Sequence, residues 1–591
     1  MATGLSGSEF IAEYLIKEGV PYIFGLPGHG VLAFVDAFRK RQDRIKTITF
    51  RHEQGATYAA DAYYRVSGRP MVVFTTVGPG GVNALTGIST AFMDSIPMVF
   101  FTADCPVYMN EKGAMQEIER NHWADIPEIV RPIVKRTWNI TDAAQLVDVL
   151  PRAFRIAISG RPGPVHINLP MDVQAQTVTA AVPDPENYRA SNRISGDTRD
   201  IARAVELLRK AQRPVLLCGG GVIISDADKE VTQLAERLGI PVIATFNGKG
   251  CIAEDHPLWS FNTGFMGSTC GNHLTQKADV ILAVGCRFSE WTCSSYKPGV
   301  TFNVPPTKII HIDIDPREIA KNYPVEIGIL GDCRTVLRQL IEGIGPEGPA
   351  DYRKSDYFRE QRREKEKWLA TIARWQEGEP GMLTLPGMLK ELREFLDRDA
   401  IVLSDAGHTQ DNVWRAFPVY QRRCHISSGG SSTMGFSVPA AIGCKLAAPK
   451  RQVIGIIGDG SFLMTCQELS TAVHYNLPIV YVVANNDGWV CIKDLQENWY
   501  GQQGIFSTLF TNDTGRSSNP DYVKLGEAFR VYSQRVRQLS EIKPALARAF
   551  ESGRTSLIEV FVESNLPYSG LPLTGWADYP TPDYIDSKMD K

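Results

Sequence analysis

Gly458-Asp459-Gly460-Ser461 begins the stretch that decides the fold of this 591-residue chain, and Asn485-Asn486-Asp487-Gly488 ends it. An apolar run precedes each of these two turns, and both runs, Val453 to Ile457 and Ile479 to Ala484, have the composition of buried strands. Apolar residues at helical spacing from Met464 to Val473 predict a helix between the strands. Strand, turn, helix, strand and turn together predict an open parallel sheet with both turns at its carboxyl edge, where ligands bind.

The residue types in the two turns predict a metal ion and an anion at that edge. Asp459 offers a carboxylate oxygen, Asn486 follows it by 27 positions with an amide oxygen, and Gly488 adds a backbone carbonyl. Such hard oxygen ligands suit magnesium, which takes its other ligands from phosphates and water. Gly458, Gly460 and Ser461 let backbone N–H groups approach an anion at the helix start. Two ordinary turns would explain the glycines but not the acid and amides at this spacing.

Composition restricts the class of protein and its partners. The formal net charge of −3 recruits neither nucleic acid nor a membrane surface, and no apolar run is long enough to span a bilayer. The N-terminal residues show no secretory signal, and the eleven cysteines include no Cys-x-x-Cys pair. Reduced, buried thiols in a cytoplasmic protein explain this cysteine pattern better than disulfides or a zinc site.

Strands and helices alternate along the whole chain, which predicts an α/β protein with three doubly wound, mostly parallel sheets. Polar or Pro-rich stretches divide it into residues 1–182, 183–343, 344–382, 383–563 and 564–591. The third segment has the pattern of a linker with an exposed amphipathic helix. The aromatic tail 564–591 either folds over the active site or forms part of a contact between subunits. The Gly219-Gly220-Gly221 turn suits a nucleotide phosphate or a purely structural Rossmann-like spacer.

The Gly-Asp-Gly and Asn-Asn pair resembles the thiamine diphosphate motif. The chain as a whole is similar to the group of thiamine diphosphate enzymes that contains acetolactate synthase, pyruvate oxidase and pyruvate decarboxylase. The resemblance implies a pyrimidine-binding domain at 1–182, a central Rossmann-like domain at 183–343 and a diphosphate-binding domain at 383–563. It also implies thiamine diphosphate with Mg²⁺, a small-molecule carbonyl substrate, and a homodimer or homotetramer with active sites between subunits.

Glu53, in Arg51-His52-Glu53-Gln54-Gly55, resembles the family's catalytic glutamate. The resemblance implies that it shares a proton with N1′ of the cofactor's aminopyrimidine, and burial would favour its protonated form. A helix-start acid that only complements the helix dipole is the alternative for this residue.

Further residues are assigned to the cofactor by the same resemblance. Met434 matches the bulky apolar residue that bends the cofactor, although a lone Met is more often a core residue. Gly407, His408 and Thr409 match the first phosphate-binding loop, with a helix N-cap by Thr409 as an alternative that is compatible with this role. The resemblance also allows a flavin in the central domain, and Arg287 is the residue that most favours it.

His29 and Gln116 are candidates for the substrate side of the site. A histidine in Gly28-His29-Gly30 can relay protons near neutral pH, and its alternative is a turn residue bonded to its own backbone. Gln116 matches a pocket glutamine of the family, and its alternative is an exposed helix amide.

Several residues of this sequence differ from those of the family, and these differences narrow the range of reactions that the chain could catalyse. Pyruvate decarboxylases carry a catalytic Glu where Ile492 stands, and acetolactate synthases carry a Trp where Leu495 stands and a Gly in place of His29. His29 together with Cys491-Ile492 is closer to the enzymes that hydrolyse cyclic 1,2-diketones. We rank an acetolactate-synthase-like lyase or carboligase first, diketone hydrolysis second and a 2-hydroxyacyl-CoA lyase third. A degenerate regulatory or carrier subunit is disfavoured because Glu53, Asp459 and Asn486 are all present.

Overall fold

The computed structural model describes residues 4–118, 125–346, 352–378 and 381–563, and the predicted tail at 564–591 lies outside them. These residues form two compact units. The first contains the chain up to Ser191 together with Gly430–Val453 and Thr465–Ile479, and the second contains the remaining described residues. No helix in the described ranges is both long and apolar enough to cross a membrane.

The first unit contains a six-stranded parallel sheet in the order β3-β2-β4-β5-β7-β6, and a small antiparallel pair, β1 and β8. Its strands are β1 (Leu5–Ser6), β2 (Tyr22–Gly25), β3 (Lys46–Thr49), β4 (Met71–Thr75), β5 (Met98–Asp104), β6 (Thr137–Asn139), β7 (Val165–Pro170) and β8 (Thr177–Val178). Its N-terminal helices are α1 (Gly7–Lys17), α2 (Leu32–Arg39), α3 (Glu53–Ser67), α4 (Pro79–Asn83), α5 (Leu85–Met93), α6 (Asp125–Val130), α7 (Leu146–Ile158) and α8 (Met171–Ala175).

The second unit begins with a parallel sheet in the order β11-β10-β9-β12-β13-β14. Its strands are β9 (Pro214–Cys218), β10 (Val242–Ala244), β11 (Trp259–Asn262), β12 (Val280–Val284), β13 (Lys308–Asp313) and β14 (Ile327–Leu330). The accompanying helices are α9 (Thr198–Lys210), α10 (Gly220–Ile224), α11 (Asp228–Leu238), α12 (Thr269–Gln276), α13 (Glu290–Cys293) and α14 (Cys333–Ile344). The predicted amphipathic helix follows as α15 (Asp356–Glu377), and its Trp368 is fully buried in the core of this unit.

The third parallel sheet has the order β16-β15-β17-β18-β20-β19. Its strands are β15 (Ile401–Ser404), β16 (His425–Ile426), β17 (Val453–Gly458), β18 (Val480–Asn485), β19 (Tyr532–Val536) and β20 (Ser556–Phe561). The helices in this part of the chain are α16 (Leu385–Phe395), α17 (His408–Ala416), α18 (Ser437–Ala447), α19 (Asp459–Leu463), α20 (Leu469–His474), α21 (Val490–Tyr500), α22 (Tyr522–Ala528) and α23 (Ile542–Glu551). Three parallel sheets flanked by helices confirm the predicted fold class.

Helices α18 and α20 belong to the first unit, although they follow β16 and β17 in the sequence. Helix α18 packs closely on α3, since a Cβ at Gly443 would lie 1.9 Å from the carbonyl oxygen of Ala59. Tyr58 and Phe436 meet edge to face at 5.2 Å beside this crossing. Alanines and glycines on both helices therefore allow the close approach that packs α18 against the middle of α3.

The single helix predicted from Met464 to Val473 is wrong. Helix α19 ends at Leu463, a 3₁₀ turn covers Cys466–Glu468, and α20 begins at Leu469. The buried Glu468 carboxylate accepts hydrogen bonds from backbone N–H groups of the segment before α3. We attribute the interruption to this distant pairing, which periodicity along the chain does not reveal.

Candidate active site

Asp459 lies at the carboxyl end of β17 as the first residue of α19, and it is 1% exposed. Its Oδ1 accepts from the backbone N–H of Gly460 at 3.0 Å, and its Oδ2 accepts from that of Gly488 at 3.2 Å. Burial raises the pKa of Asp459 to about 6, although hydrogen bonds from Asn519 and from the backbone of Gly460 and Gly488 act to lower it. The two turns of the sequence motif therefore meet on one carboxylate.

The side-chain amide of Asn519 lies beside Asp459 and is surrounded by further oxygen atoms. Its side-chain nitrogen lies 2.9 Å from Asp459 Oδ2, 2.9 Å from Asp487 Oδ1 and 3.2 Å from Asn485 Oδ1. An amide NH₂ has two hydrogens, so three acceptor oxygens converge on a group that can satisfy two of them. Asn485 is held there because its own NH₂ donates to the buried Glu559 at 2.9 Å. This excess of hard oxygen lone pairs is a donor set that suits a small divalent cation.

Asn519, Asn485 and Glu559 were missed by sequence reasoning. Asn485 faces the cluster, whereas the amide of Asn486, the predicted metal ligand, is half-buried and has no hydrogen bond within the described ranges. Asn519 and Glu559 lie in later parts of the chain with no motif around them, and only the fold brings them to the site.

Gly460 is constrained by the indole of Trp489. A Cβ at Gly460 would lie 2.2 Å from that ring, so packing requires the second glycine of the motif. Gly458 is different, because its backbone is extended and nothing lies within 4 Å of a Cβ placed there. Ser461, the other predicted anion-binding residue, is buried in the first turn of α19.

The loop after β15 lies beside these turns, because β15 neighbours β17 in the sheet and Asp405 N–H donates to Ile456 at 3.1 Å. Gly407 caps α17 with φ 91°, so the helix starts at His408 with its first N–H groups free of intrahelical bonds. The N-cap interpretation of Thr409 is wrong, since its hydroxyl donates to the carbonyl of Asp405 at 2.7 Å. The His408 ring points into the protein, where Nε2 meets Asp494 Oδ2 at 2.7 Å.

Glu53 lies in the first unit as the first residue of α3, and it is 4% exposed. Its Oε2 accepts from the side-chain amide of Asn83 at 3.1 Å. Its Oε1 would be 3.2 Å from a Cβ at Gly80, which places the carboxyl against the glycine-rich turn after β4. Glu53 therefore holds the helix-start position of the alternative interpretation, but its side chain is turned into the protein and fixed there.

Glu468 positions the segment that carries Glu53. Its buried carboxylate accepts from the backbone N–H groups of Arg51 at 3.1 Å and His52 at 2.9 Å, and from Thr471 Oγ1 at 2.6 Å. A Cβ at Gly55 would lie 2.6 Å from Glu468 Oε1, so the glycine leaves the room that this carboxylate occupies. No sequence signal identified Glu468, because the backbone groups that it binds in Arg51 and His52 lie more than 400 positions away.

We expect Glu468→Gln to remove a pH dependence from the stability of the protein. Burial raises the pKa of Glu468 to about 7 from an ordinary 4.5, so the folded protein binds this proton more tightly than the unfolded chain does. The free energy of unfolding should then fall by about 3 kcal/mol as pH rises from 4.5 to 7. Denaturant titrations across this range should show that component in the wild type and not in the variant.

The exposed Glu551 provides the control for that measurement. Glu551→Gln should keep the wild-type pH dependence. An equally steep fall in Glu468→Gln would contradict the role of Glu468 as the titrating group.

His29, Gln116 and Glu53 surround the glycine-rich ends of β2 and β4 in the first unit. A Cβ at Gly78 would lie 1.7 Å from the carbonyl oxygen of Gln116, and the hydroxyl of Thr76 accepts from Gly30 N–H at 3.1 Å. The His29 side chain is exposed and makes no hydrogen bond within the described ranges, so its turn-bonding alternative is wrong. Gln116 is exposed too, but it lies in a turn at φ 72° and not in a helix.

Met434 also belongs to the first unit and is half-buried. Thr433 Oγ1 lies 2.8 Å from Thr90 Oγ1, and the carbonyl of Gly435 accepts from Thr465 Oγ1 at 2.7 Å. The two neighbours of Met434 are thus fixed, while its own side chain is not enclosed in the core.

The chain matches known protein families along most of its length. Three family models match in succession: the N-terminal TPP binding domain of thiamine pyrophosphate enzymes at residues 5–123, their central domain at 201–340, and their C-terminal TPP binding domain at 405–560. These matches define the class: this is a thiamine diphosphate-dependent enzyme.

Curated relatives narrow that class. The chain is 36% identical over 598 aligned positions to the probable acetolactate synthase large subunit of Methanocaldococcus jannaschii, covering 96% of this chain and 93% of that protein. It is 34% identical to the acetolactate synthase isozyme 3 large subunit of Escherichia coli, covering 95% and 94%. It is also 34% identical to the acetolactate synthase large subunit of Corynebacterium glutamicum, covering 94% and 87%. The chain belongs to the acetolactate synthase family of thiamine diphosphate enzymes.

Proposed function

We propose that this protein is a thiamine diphosphate- and Mg²⁺-dependent carboligase that joins a 2-keto acid fragment to a second carbonyl compound. The convergence of Asp459, Asn485 and Asp487 on the Asn519 amide carries the proposal. Similarity along nearly the full length of the acetolactate synthase large subunits supports the choice of reaction.

The donor set fits magnesium. Asp459 would supply a carboxylate oxygen and Gly488 a backbone carbonyl. Asn486, whose half-buried amide has no hydrogen bond in the described ranges, would turn its amide oxygen to the ion, and the cofactor's phosphates would complete the shell. Asp459 is buried and its pKa is raised, so a bound dication would stabilise its ionised form.

The same edge of the sheet fits a diphosphate. We assign phosphate binding to backbone N–H groups at Gly407, His408 and Thr409, and at the Gly458, Gly460 and Ser461 turn. The His408 ring is engaged with Asp494, so its contribution would come from the main chain.

Glu53 would act as the acid–base group and Met434 as the apolar support. When bound, thiamine diphosphate supplies a stabilised carbanion that can attack a carbonyl carbon. Glu53, buried and anchored by Asn83, would hold a proton at the N1′ atom of the cofactor. The half-buried Met434, with both neighbours fixed, would present its side chain to the cofactor rings.

Hydrolysis of a cyclic 1,2-diketone is the second candidate, because His29 is an exposed imidazole at the same strand ends as Glu53. There it could donate or accept a proton on the substrate side, together with Gln116. Ile492 is 48% exposed on α21, and Leu495 is half-buried on the same helix, so neither provides the catalytic Glu or the Trp of the better-known relatives.

A product screen tests the reaction. The purified protein, loaded with thiamine diphosphate and Mg²⁺, is incubated with pyruvate alone, with pyruvate plus 2-ketobutyrate or glyoxylate, with cyclic 1,2-diketones, and with a 2-hydroxyacyl-CoA. Mass spectrometry should find a coupled acetohydroxy acid from the keto acids. Ring-opened acids from a diketone would favour hydrolysis, and cleavage of the thioester substrate would favour the lyase. A failure of all substrates would contradict the proposal.

Flavin in the central domain stays a prediction. A Cβ at Gly219 would lie 2.0 Å from the carbonyl oxygen of Gly285, and Gly221 N–H donates to the same oxygen at 3.1 Å. Backbone packing alone thus explains the glycines at this switch point, and they do not by themselves require a nucleotide. Visible absorbance of the purified protein would reveal a bound flavin.

We also propose a homodimer or homotetramer in the cytoplasm. The relatives are named as large subunits, which supports assembly into an oligomer. All eleven cysteines are free thiols and nine of them are buried, which supports a reducing compartment. Light scattering on the loaded enzyme would give the number of chains.

A further inference from the structure

The segment that carries Met434, residues 430–436, is a series of turns between β16 and α18. Its first residue, Gly430, is also where the chain returns to the first unit. The backbone of Ser432 lies at φ 47°, a conformation that residues with a side chain rarely adopt. Such a strained turn keeps its shape only where the surrounding structure holds it. The contacts of this segment therefore decide where Met434 stands.

Helix α5 and its C-cap residue supply two of these contacts. Asp94 Oδ1 accepts from the backbone N–H of Gly430 at 2.7 Å, and Thr90 Oγ1 lies 2.8 Å from Thr433 Oγ1. The Thr90 hydroxyl already donates to the carbonyl of Thr86 at 2.8 Å, so Thr433 is the donor in this pair. Thr90 and Asp94 are four positions apart, and they therefore face the Met434 segment from one side of the helix.

Arg65 of α3 fixes the carboxylate of Asp94. Its Nη2 donates to Asp94 Oδ2 at 2.7 Å, and its Nε donates to Asp61, one turn earlier on α3. Asp61 and Asp94 are both buried, and the guanidinium carbon of Arg65 lies 5.8 Å from the centre of the Phe436 ring. Asp94 thus has one oxygen bonded to α3 and the other bonded to the start of the Met434 segment.

We propose that Asp94 and Thr90 are positioning residues of the reaction. Through their bonds to Gly430 and Thr433, they set where the Met434 side chain stands. The inference rests on the proposed function, in which Met434 is the apolar support of the cofactor. Neither residue needs to touch the cofactor. Because an acceleration that depends on geometry is sensitive to small displacements, a shift of about 1 Å in this support can cost about 100-fold in rate.

Two substitutions separate the contacts. Asp94→Asn offers one acceptor oxygen in place of two, so it cannot accept from both Arg65 and Gly430. The bond that remains is also weaker, because hydrogen bonds to an ionised carboxylate are stronger than those to a neutral acceptor. Thr90→Ala removes only the contact with Thr433 and keeps the buried ion pair of Asp94.

Amide hydrogen–deuterium exchange on the full-length apo protein tests the contacts without the cofactor. Peptides that cover residues 430–436 should exchange about 10-fold faster in Asp94→Asn and in Thr90→Ala than in the wild type, since local opening becomes easier. Asp61→Asn is the matched control, because it removes the other carboxylate bound to Arg65 and leaves the bond to Gly430. It should keep the wild-type rate in these peptides. Equal rates in the wild type and in both test variants would overturn the inference.

Exchange of the C2 proton of bound thiamine diphosphate tests the consequence for the reaction. Asp94→Asn and Thr90→Ala should each slow this exchange, by up to about 100-fold, while cofactor affinity in isothermal titration stays close to that of the wild type. A purely structural role would not separate these two measurements. In a Met434→Ala background neither substitution should slow exchange further, because both act through Met434.

The double-mutant cycle distinguishes two failures. Asp94→Asn that slows exchange by the same factor with and without Met434 would overturn the inference about Asp94 and leave the role of Met434 intact. Unchanged exchange in Met434→Ala itself would overturn the proposed role of Met434, and the inference with it. Thr90→Ala carries the same cycle if Asp94→Asn does not fold.

Discussion

Glu53→Gln is expected to slow exchange of the C2 proton of bound thiamine diphosphate by about 10²- to 10⁴-fold, the usual contribution of a positioned acid–base group. The glutamine keeps the size of the side chain and can still meet Asn83, which now donates to Glu53 Oε2 at 3.1 Å. It cannot share a proton with the cofactor. Cofactor affinity should therefore stay close to that of the wild type while exchange and turnover both fall.

Quenched-flow deuterium exchange followed by proton NMR measures this rate directly. The exposed Glu111 offers a matched control in the same unit, and Glu111→Gln should exchange as the wild type does. An unchanged rate in Glu53→Gln would show that another group holds the proton and would remove Glu53 from its proposed role.

Asp459→Asn should weaken magnesium-dependent cofactor binding by about 100-fold or more, since even residues that only orient a metal ligand contribute 10- to 100-fold. The substitution replaces the carboxylate by a neutral amide of the same shape. Because burial already disfavours the charged form of Asp459, the apo variant should remain folded. Isothermal titration with thiamine diphosphate, with and without Mg²⁺, measures the loss.

Asp487→Asn serves as the comparison, because Asp487 also accepts from Asn519 at 2.9 Å but is not a proposed metal ligand. Its effect on cofactor affinity should be much smaller. Equal losses in both variants would mean that the oxygen cluster acts as a whole and that Asp459 is not the principal ligand.

The sequence predicted the class of fold and the position of the two central turns because both depend on local patterns. Val- and Ile-rich runs identify buried parallel strands, and a Gly-Asp-Gly turn can be recognised without knowing its neighbours. Asp459 and Gly488 meet as expected, since β17 and β18 are adjacent in the sheet.

The parts of the site that were missed depend on long-range contacts. The sequence did not predict the role of Glu468, because this residue accepts hydrogen bonds from Arg51 and His52, which are far away in the chain. It did not predict the role of Asn519 either, because Asn519 reaches Asp459 from a loop before α22. The predicted helix across Glu468 failed for the same reason. Periodicity along the chain shows which face of a segment is apolar, but it does not identify the distant residues that this segment contacts.

The first unit is built from three separate segments of the chain, and this affects how the protein can be divided into fragments. Gly430–Val453 and Thr465–Ile479 fold with the N-terminal residues, so α18 covers α3 and Glu468 supports the segment before Glu53. A fragment that stops before residue 383 would expose one side of α3 and lose the acceptor for two backbone N–H groups. We therefore expect that the N-terminal fragment alone is unstable, and that adding the missing C-terminal fragment restores it by complementation. Exchange of whole modules with relatives must accordingly move both fragments together.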